Sequence, residues 1–193
     1  MLDKQTYIIK ERVALAKLHE AFDIYDAADG TFLASAVEQA SGLRKAMKLF
    51  VNKTLLPFEV HVRDKDQQIL LTIERGLTLL RSRVRVLDAR GELIGTFRQR
   101  LLSLGGRFEL FDAEDRKVAD LKGNWVGWNF DFIAENGAKL GTVTKKWAGA
   151  GKELFTSADN YVVALEDGVD TAGAGPLLLA AALSIDMVLK EHG

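Results

Sequence analysis

The sequence predicts an all-β closed barrel of about twelve antiparallel strands that encloses a hydrophobic C-terminal α-helix. Two observations support this prediction: a short pattern of alternating apolar and polar residues recurs along the chain, and one wholly apolar run stands near its end. Many short, evenly spaced strands are typical of barrels and sandwiches. Because the diameter of a barrel grows with its strand number, such a barrel would have a wide lumen, which an apolar helix could fill.

The repeated pattern consists of an alternating run, an acidic or amide turn, and a second alternating run. Alternation with a period of two is typical of a strand with one buried face. Asp-Gly, Arg-Gly and Asn-Gly pairs supply the positive φ angles that tight hairpin turns require. We therefore expect hairpins whose first strands begin at Phe22, Phe58, Val84, Phe108 and Phe130. Return strands are predicted over 93–97, 118–121 and 140–144, and further strands over 7–10, 13–18 and 161–165.

The apolar run near the end of the chain predicts a core helix over about 176–190. Pro176 suits the first helical position, where proline loses no hydrogen bond, and Leu and Ala are strong helix formers. No face of this helix is polar in its first two turns, so it must be buried all round. A membrane span needs about 20 apolar residues. The apolar run here ends at Asp186, which favours a helix buried in protein over a membrane anchor.

One segment, over about 36–52, has helical rather than strand spacing. Its apolar residues recur at Ala36, Ala40, Leu43, Met47 and Phe50. We interpret it as an amphipathic surface helix inserted between two hairpins. The glycine-rich residues 170–175 are interpreted as a turn into the core helix rather than as a linker, so we expect a single domain over 1–193.

The inserted helix is the first candidate for a functional site. Arg44, Lys45, Lys48 and Lys53 place four positive charges within ten residues, next to large apolar side chains. This composition is typical of a helix that lies in a membrane interface. An ordinary amphipathic helix packed on the barrel, with a solvated basic face, has the same pattern.

A second candidate is the run Lys145, Lys146 and Trp147. A pair of ammonium groups beside an amphipathic ring could contact lipid headgroups. The alternative is a strand with solvated lysines and a tryptophan that packs against the barrel. The whole chain has a net charge of −1, so it has no global attraction to nucleic acid or to an acidic membrane, and any such binding depends on a local patch.

No constellation of catalytic or metal-ligating residues stands out. His61 is expected on the outer face of a strand beside Glu59 and Arg63, and no nucleophile elbow or His-Glu-x-x-His motif occurs. Paired carboxylates such as Asp112 and Asp115 lack the spacing of a calcium loop, and we interpret them as turn residues. We therefore expect a protein that is not an enzyme and that carries no cofactor or metal.

The absence of cysteine excludes disulfides and thiolate chemistry and favours the cytoplasm. Residues 1–5 contain no apolar signal region. We expect a cytoplasmic protein, with peripheral contact to membranes if the basic segments bind lipid.

Four segments together resemble the phospholipid scramblase and LURP-one-related family: 7–11, 22–26, 145–147 and the Leu- and Ala-rich run that ends at 185–187. The resemblance spans about residues 5–190 and is closest to small bacterial members. It implies the tubby-like fold, a twelve-stranded barrel around a central hydrophobic C-terminal helix. It also implies contact with lipid, because eukaryotic scramblases were named for calcium-dependent movement of phospholipids between leaflets and tubby domains bind phosphoinositide headgroups.

The sequence departs from the scramblase pattern in two places. The cysteine cluster that is palmitoylated in that family is absent. The family's proposed calcium segment lies just before the final helix, where this chain has Asp159, Glu166, Asp167 and Asp170 without the characteristic spacing. The resemblance therefore implies a lipid- or membrane-interacting protein, without implying calcium-driven scrambling. The charge and apolar spacing of the basic amphipathic helix predict in addition that it binds anionic phospholipid peripherally through this helix. The alternative is a soluble scaffold or small-ligand carrier that acts through protein partners.

Overall fold

The computed structural model describes residues 2–12, 21–39, 56–77, 82–99, 108–124, 128–145 and 160–189. The strands within these ranges are β1 Thr6–Glu11, β2 Ala21–Asp26, β3 Phe32–Glu38, β4 Phe58–Arg63, β5 Ile69–Arg75, β6 Arg83–Asp88, β7 Leu93–Gln99, β8 Phe108–Asp112, β9 Lys117–Asn124, β10 Asn129–Ala134, β11 Lys139–Thr144 and β12 Asn160–Leu165. They are followed by helix α1, Thr171–Leu189.

The strands form one closed antiparallel barrel. Each strand pairs with the next in the chain, and β12 pairs with β1, with Ile8 opposite Val162. Closure leaves no unpaired strand edge among them. The predicted fold class is confirmed, and the predicted return strands are present. The strand predicted over 13–18 lies outside the described residues.

Four of the hairpins share the same tight turn. In each turn, a backbone N–H donates to the carbonyl three residues earlier, at the end of the first strand. The N–H of Gly91, for example, donates to the carbonyl of Asp88 at 3.0 Å. The donor has a positive φ and is followed by a shift in strand register, as expected for a type I turn with a bulge. The four donors are Gln67, Gly91, Asp115 and Gly137, with φ angles of 63°, 81°, 65° and 85°. At two of these positions, Gln67 and Asp115, the residue with the positive φ is not a glycine.

An aspartate at the start of three of these turns holds the backbone closed. The Oδ1 atom of Asp88 accepts hydrogen bonds from the N–H groups of Arg90 and Glu92 at 2.8 and 2.9 Å. Asp64 and Asp112 make the same pair of bonds two and four residues ahead. The interpretation of the acidic turns as structural is confirmed at these positions, because each carboxylate is occupied by its own backbone.

Helix α1 fills the barrel, as predicted. All residues from Leu178 to Met187 are buried, so no face of this stretch reaches solvent. Two glycines in the barrel wall allow close approach. A Cβ atom added at Gly141 would lie 2.6 Å from Leu178 Cδ2, and one added at Gly95 would lie 2.7 Å from Leu177 Cδ2. A side chain at either position would displace these leucine side chains and would also meet a backbone oxygen of the neighbouring strand, Ala164 O at 2.6 Å from Gly141 and Phe111 O at 2.9 Å from Gly95.

The helix begins five residues before the predicted start. Asp170 caps it: its Oδ1 accepts from the N–H of Ala172 at 3.1 Å and its carbonyl accepts from the N–H of Ala174 at 2.9 Å. Pro176 therefore lies inside the helix. The hydrogen bond that proline cannot donate would have gone to the carbonyl of Ala172, an exposed residue in the first turn of the helix.

The inserted helix predicted over 36–52 does not begin at residue 36. Strand β3 continues through Glu38, with Ala36 opposite Val62 and Glu38 opposite Val60 on β4. The alternation of buried Ala36 and Glu38 with half-buried Val37 shows that pairing with β4 overrides the helical spacing in this part of the chain. Residues 40–52 of the predicted helix lie outside the described residues.

We expect the substitution Gln67→Gly to stabilise the protein. Residue 67 is exposed and has a left-handed backbone, which costs a side-chain-bearing residue roughly 1–2 kcal/mol. Glycine removes this cost and loses about 0.5–1 kcal/mol in entropy, so a net gain of up to about 1 kcal/mol is expected. Urea unfolding measures it. Gln68→Gly, at the exposed neighbour without a positive φ, should destabilise instead, and equal effects of the two changes would contradict the turn assignment.

We expect Ala181→Arg to prevent normal folding. Ala181 is 1% exposed and lies in the middle of α1, where an arginine would be a buried charge without a partner. The matched control is Ala172→Arg, at an exposed position in the first turn of the same helix. Circular dichroism during thermal unfolding compares the two. A cooperative transition of Ala181→Arg close to that of the control would show that α1 is not the core.

Candidate functional site

The strand order gives the barrel two different ends. At the hairpin end, the connections are 27–31, 64–68, 89–92, 113–116, 135–138 and 166–170, the last of which leads into α1. At the opposite end, here called the loop end, the connections are 12–20, 39–57, 76–82, 100–107, 125–128 and 145–159. Since neighbouring strands are antiparallel, every second connection lies at the same end, and the long ones all lie at the loop end.

The predicted basic residues all belong to loop-end connections. Strands β3 and β11 both finish at this end, and the connections that follow them contain the six candidates. These are Arg44, Lys45, Lys48 and Lys53 after β3, and Lys145 and Lys146 after β11. Only Lys145 is among the described residues, and the other five lie outside them. The topology therefore attaches two segments that are far apart in sequence to one end of the barrel.

Lys145 is held against an aromatic side chain at the loop end. Its N–H donates to the carbonyl of Trp128 at 3.2 Å, and its Nζ lies 4.4 Å from the centroid of the Trp128 ring. This is a cation–π contact. The Trp128 ring packs in turn against Tyr161 and Phe130, with centroid separations of 5.5 and 6.1 Å. The pair combines a cation with an amphipathic ring, and the ring is anchored in the barrel.

An exposed apolar side chain also lies at the loop end. Leu77, two residues after the end of β5, is 62% exposed and is the most exposed large apolar side chain among the described residues. The other one, Phe32 at the hairpin end, is 38% exposed and packs edge-on against the ring of Tyr25. Leu77 therefore offers apolar surface at the loop end.

Charged side chains that the sequence analysis missed lie buried near the loop end. Arg75, the last residue of β5, is 2% exposed and follows Ile73 on the inward face of the strand. Its guanidinium donates to the carbonyl of Leu56 at 2.7 Å and lies 4.7 Å from the centroid of the Phe58 ring. It therefore ties the start of β4 to the end of β5.

Glu38 at the end of β3 and Asp186 in α1 are also buried, at 6% and 1% exposure. Both positions had a signal in the sequence: the alternation that places Ala36 inward also places Glu38 inward, and Asp186 interrupts an otherwise apolar run. Burial of an ionised group is costly unless it is compensated. Such residues therefore mark the loop end as more polar inside than the middle of the barrel.

Both ring nitrogens of His61 contact charged side chains of its own strand. It lies on the outer face of β4, as predicted, with its Nε2 2.6 Å from Glu59 Oε1 and its Nδ1 3.0 Å from Arg63 Nη2. Both ring nitrogens are thus engaged by neighbours on the same strand face. In the described ranges, no group of three or more His, Asp or Glu side chains is placed to hold a metal ion.

A twelve-stranded antiparallel barrel closed around a C-terminal helix defines the class of fold, and a comparison with protein-family models identifies the family within it. The Scramblase family model matches residues 17–192 of this chain. The chain therefore belongs to the Scramblase family, which confirms the resemblance seen in the sequence. Within the part of the chain that the structure describes, no helix has the length and apolar character needed to cross a membrane.

Two fungal proteins are similar in sequence. The protein named altered inheritance rate of mitochondria protein 25, from Saccharomyces cerevisiae, is 23% identical over an alignment of 231 positions, gaps included, that covers 96% of this chain and 70% of that protein. The phospholipid scramblase family protein C343.06c from Schizosaccharomyces pombe is 26% identical over 143 residues, covering 69% of this chain and 38% of that protein.

A solved structure has the same fold. The X-ray structure of the Arabidopsis thaliana protein AT5G01750 superposes with a TM-score of 0.51 and covers 95% of this chain and 93% of its own. The sequences are 16% identical, so this likeness supports the barrel architecture alone.

We expect Arg75→Ala to destabilise the protein by about 1–3 kcal/mol, because it leaves a buried carbonyl without its hydrogen-bond donor. The carbonyl of Leu56 would lose its donor and the Phe58 ring its cation. The control is Arg83→Ala, at an exposed position of the next strand. Its effect should stay within about 0.5 kcal/mol. Chemical denaturation measures both, and equal losses would show that Arg75 has no special role at the loop end.

Proposed function

We propose that this protein is a non-enzymatic, peripheral lipid-binding protein that contacts anionic phospholipid surfaces through the basic segment containing Arg44, Lys45, Lys48 and Lys53. Lys145 and Lys146 add to the same surface. Membership of the Scramblase family supports a lipid-related function. The use of these basic segments is supported by the topology, because the connections after β3 and after β11 leave the barrel at the same end.

The chemistry of these connections suits a headgroup layer. Each Lys or Arg close to an anionic membrane surface contributes about 1 kcal/mol to binding, so six such residues can hold a protein of this size reversibly. Large apolar side chains alternate with the cations in the segment around Lys45 and Lys48. Trp128, with the Lys145 ammonium on its face, supplies a ring of the kind that is enriched at membrane interfaces. Such a protein would act at the cytoplasmic face of a membrane.

The double substitution Lys45→Glu with Lys48→Glu tests this function. We expect at least tenfold weaker binding to vesicles of phosphatidylcholine with phosphatidylserine, because two attractions of about 1 kcal/mol each become repulsions. Cosedimentation measures the bound fraction, and binding of the natural protein should fall as salt is raised.

The matched control is Lys65→Glu with Arg90→Glu, two exposed hairpin-end positions whose reversal changes the net charge equally. The control should bind as the natural protein does. Equal loss in both variants would show that total charge, and not the segment around Lys45, decides binding. If the natural protein stayed in the supernatant with anionic vesicles at low salt, the lipid-binding function would be wrong and a scaffold acting through protein partners would replace it.

A further inference from the structure

Two arginine side chains lie directly opposite each other on the outer wall of the barrel. Arg83 at the start of β6 is the register partner of Arg98 on β7. Both residues alternate along their strands with side chains that are buried in the lumen, Val84 and Phe97. The two guanidinium groups therefore belong to the same outward face of the sheet.

The hydrogen-bond pattern brings the two arginines close together. The N–H of Gln99 donates to the carbonyl of Ser82 at 3.0 Å, so these neighbours form a hydrogen-bonded pair and the arginines form the adjacent non-hydrogen-bonded pair. In such a pair the Cα atoms are only about 4.5 Å apart. Burial of its guanidinium, together with the charge of Arg83, lowers the pKa of Arg98 from its ordinary value. Both groups stay charged at neutral pH, and like charges in this position are destabilising unless an anion compensates them.

One carboxylate is shared by the two arginines. Asp115, in the turn between β8 and β9, accepts a hydrogen bond from Arg98 through Oδ1, and the same oxygen lies 4.0 Å from Arg83 Nη2. A separation of 4.0 Å is too long for a hydrogen bond. Among the described residues, no acceptor is within hydrogen-bond distance of the Arg83 guanidinium. Two positive charges therefore share one negative charge, and the Arg83 guanidinium makes only a long contact with it.

The neighbouring charges on this face have other partners. Arg85, on the same face of β6, donates to Glu74 at 2.6 Å. Glu109, opposite Arg98 on β8, lies 3.3 Å from the ammonium group of Lys117. Because these carboxylates are shared with other cations, a further anion can be accommodated beside the arginine pair.

Asp115 is held weakly in its position. Its backbone has a φ of 65°, a left-handed conformation that favours glycine, and the equivalent positions of two other turns are Gly91 and Gly137. Its side chain is 62% exposed, and exposed ion pairs contribute little to stability. Arg98, in contrast, is fixed, because its guanidinium lies over the Phe111 ring at 4.0 Å from the centroid. A stronger anion can therefore displace the carboxylate without disturbing the wall.

We propose that Arg83 and Arg98 form a binding site for a phosphomonoester group, which Asp115 occupies in the free protein. A phosphomonoester carries about two negative charges at neutral pH and has three terminal oxygens. It can thus accept hydrogen bonds from both guanidiniums at once, a geometry that arginine favours. The phosphate belongs either to a lipid headgroup or to a soluble phosphate ester. The site lies on the barrel wall and shares no residue with the basic segments of the proposed function, so it is a second site.

Titration calorimetry of the full chain with glycerol 3-phosphate tests the site with a soluble ligand. We expect Arg83→Gln and Arg98→Gln each to weaken binding at least fivefold, because each removes one guanidinium. Asp115→Asn should strengthen binding at least fivefold, since asparagine tolerates the left-handed backbone but is not a competing anion. The matched control is Arg12→Gln, which removes the same charge from an exposed position next to β1, on the other side of the barrel, and should bind as the natural protein does.

A second arm identifies the source of the phosphate. It measures cosedimentation with vesicles of phosphatidylcholine and phosphatidic acid, whose headgroup is the same phosphomonoester. Weaker vesicle binding of Arg83→Gln than of Arg12→Gln shows that the site takes a lipid phosphate, and binding of glycerol 3-phosphate without this difference shows that it takes a soluble ester.

Three results would overturn the site. The first is that neither ligand binds the natural protein or Asp115→Asn. The second is that Arg12→Gln weakens binding as much as Arg83→Gln, and the third is that Asp115→Asn does not strengthen it. Failure of the test at Lys45 and Lys48 would leave this site standing, because the two surfaces have no residue in common.

Discussion

The packing of one helix inside the closed barrel is the constraint on which the rest of this structure depends. Residues 178–187 of α1 are buried on every side, so every strand must present an apolar face to the lumen. The inward residues of the hairpins, such as Val84 with Val86 and Phe130 with Phe132, satisfy this requirement. Close contacts at Gly95 and Gly141 then set how near the wall approaches the helix.

This constraint leaves the two ends of the barrel for other roles. The hairpin end is made of short turns in which aspartates such as Asp88 bond to their own backbone, so these turns have little freedom to vary. The loop end carries the long connections, which contain twelve of the 26 Lys and Arg residues of the chain. Stability therefore depends mainly on the lumen and the hairpins, while the lipid binding that we propose involves the connections at the loop end.

The period of the hydrophobic pattern predicted the buried helix and ten of the twelve strands, all but β3 and β5, because both depend on which residues must avoid water. It failed where a local hydrogen bond or a pairing decides the structure. Asp170 starts α1 five residues before Pro176, and pairing with β4 keeps Ala36 in a strand. The inward position of Arg75 was readable from the alternation, but its role depends on the carbonyl of Leu56, which only the fold brings near. The basic residues were identified from the sequence, but only the strand order shows that the connections containing them leave the barrel at the same end.

The order of the elements along the chain has a consequence for biosynthesis. All twelve strands precede α1, so a ribosome produces the apolar inner faces before the helix that covers them. The contact between Ile8 and Val162, which closes the barrel, joins strands at opposite ends of the described chain, and such long-range pairings form slowly. During synthesis the nascent sheet has two open edges and an uncovered apolar surface, which is the state that aggregates most readily and that chaperones protect.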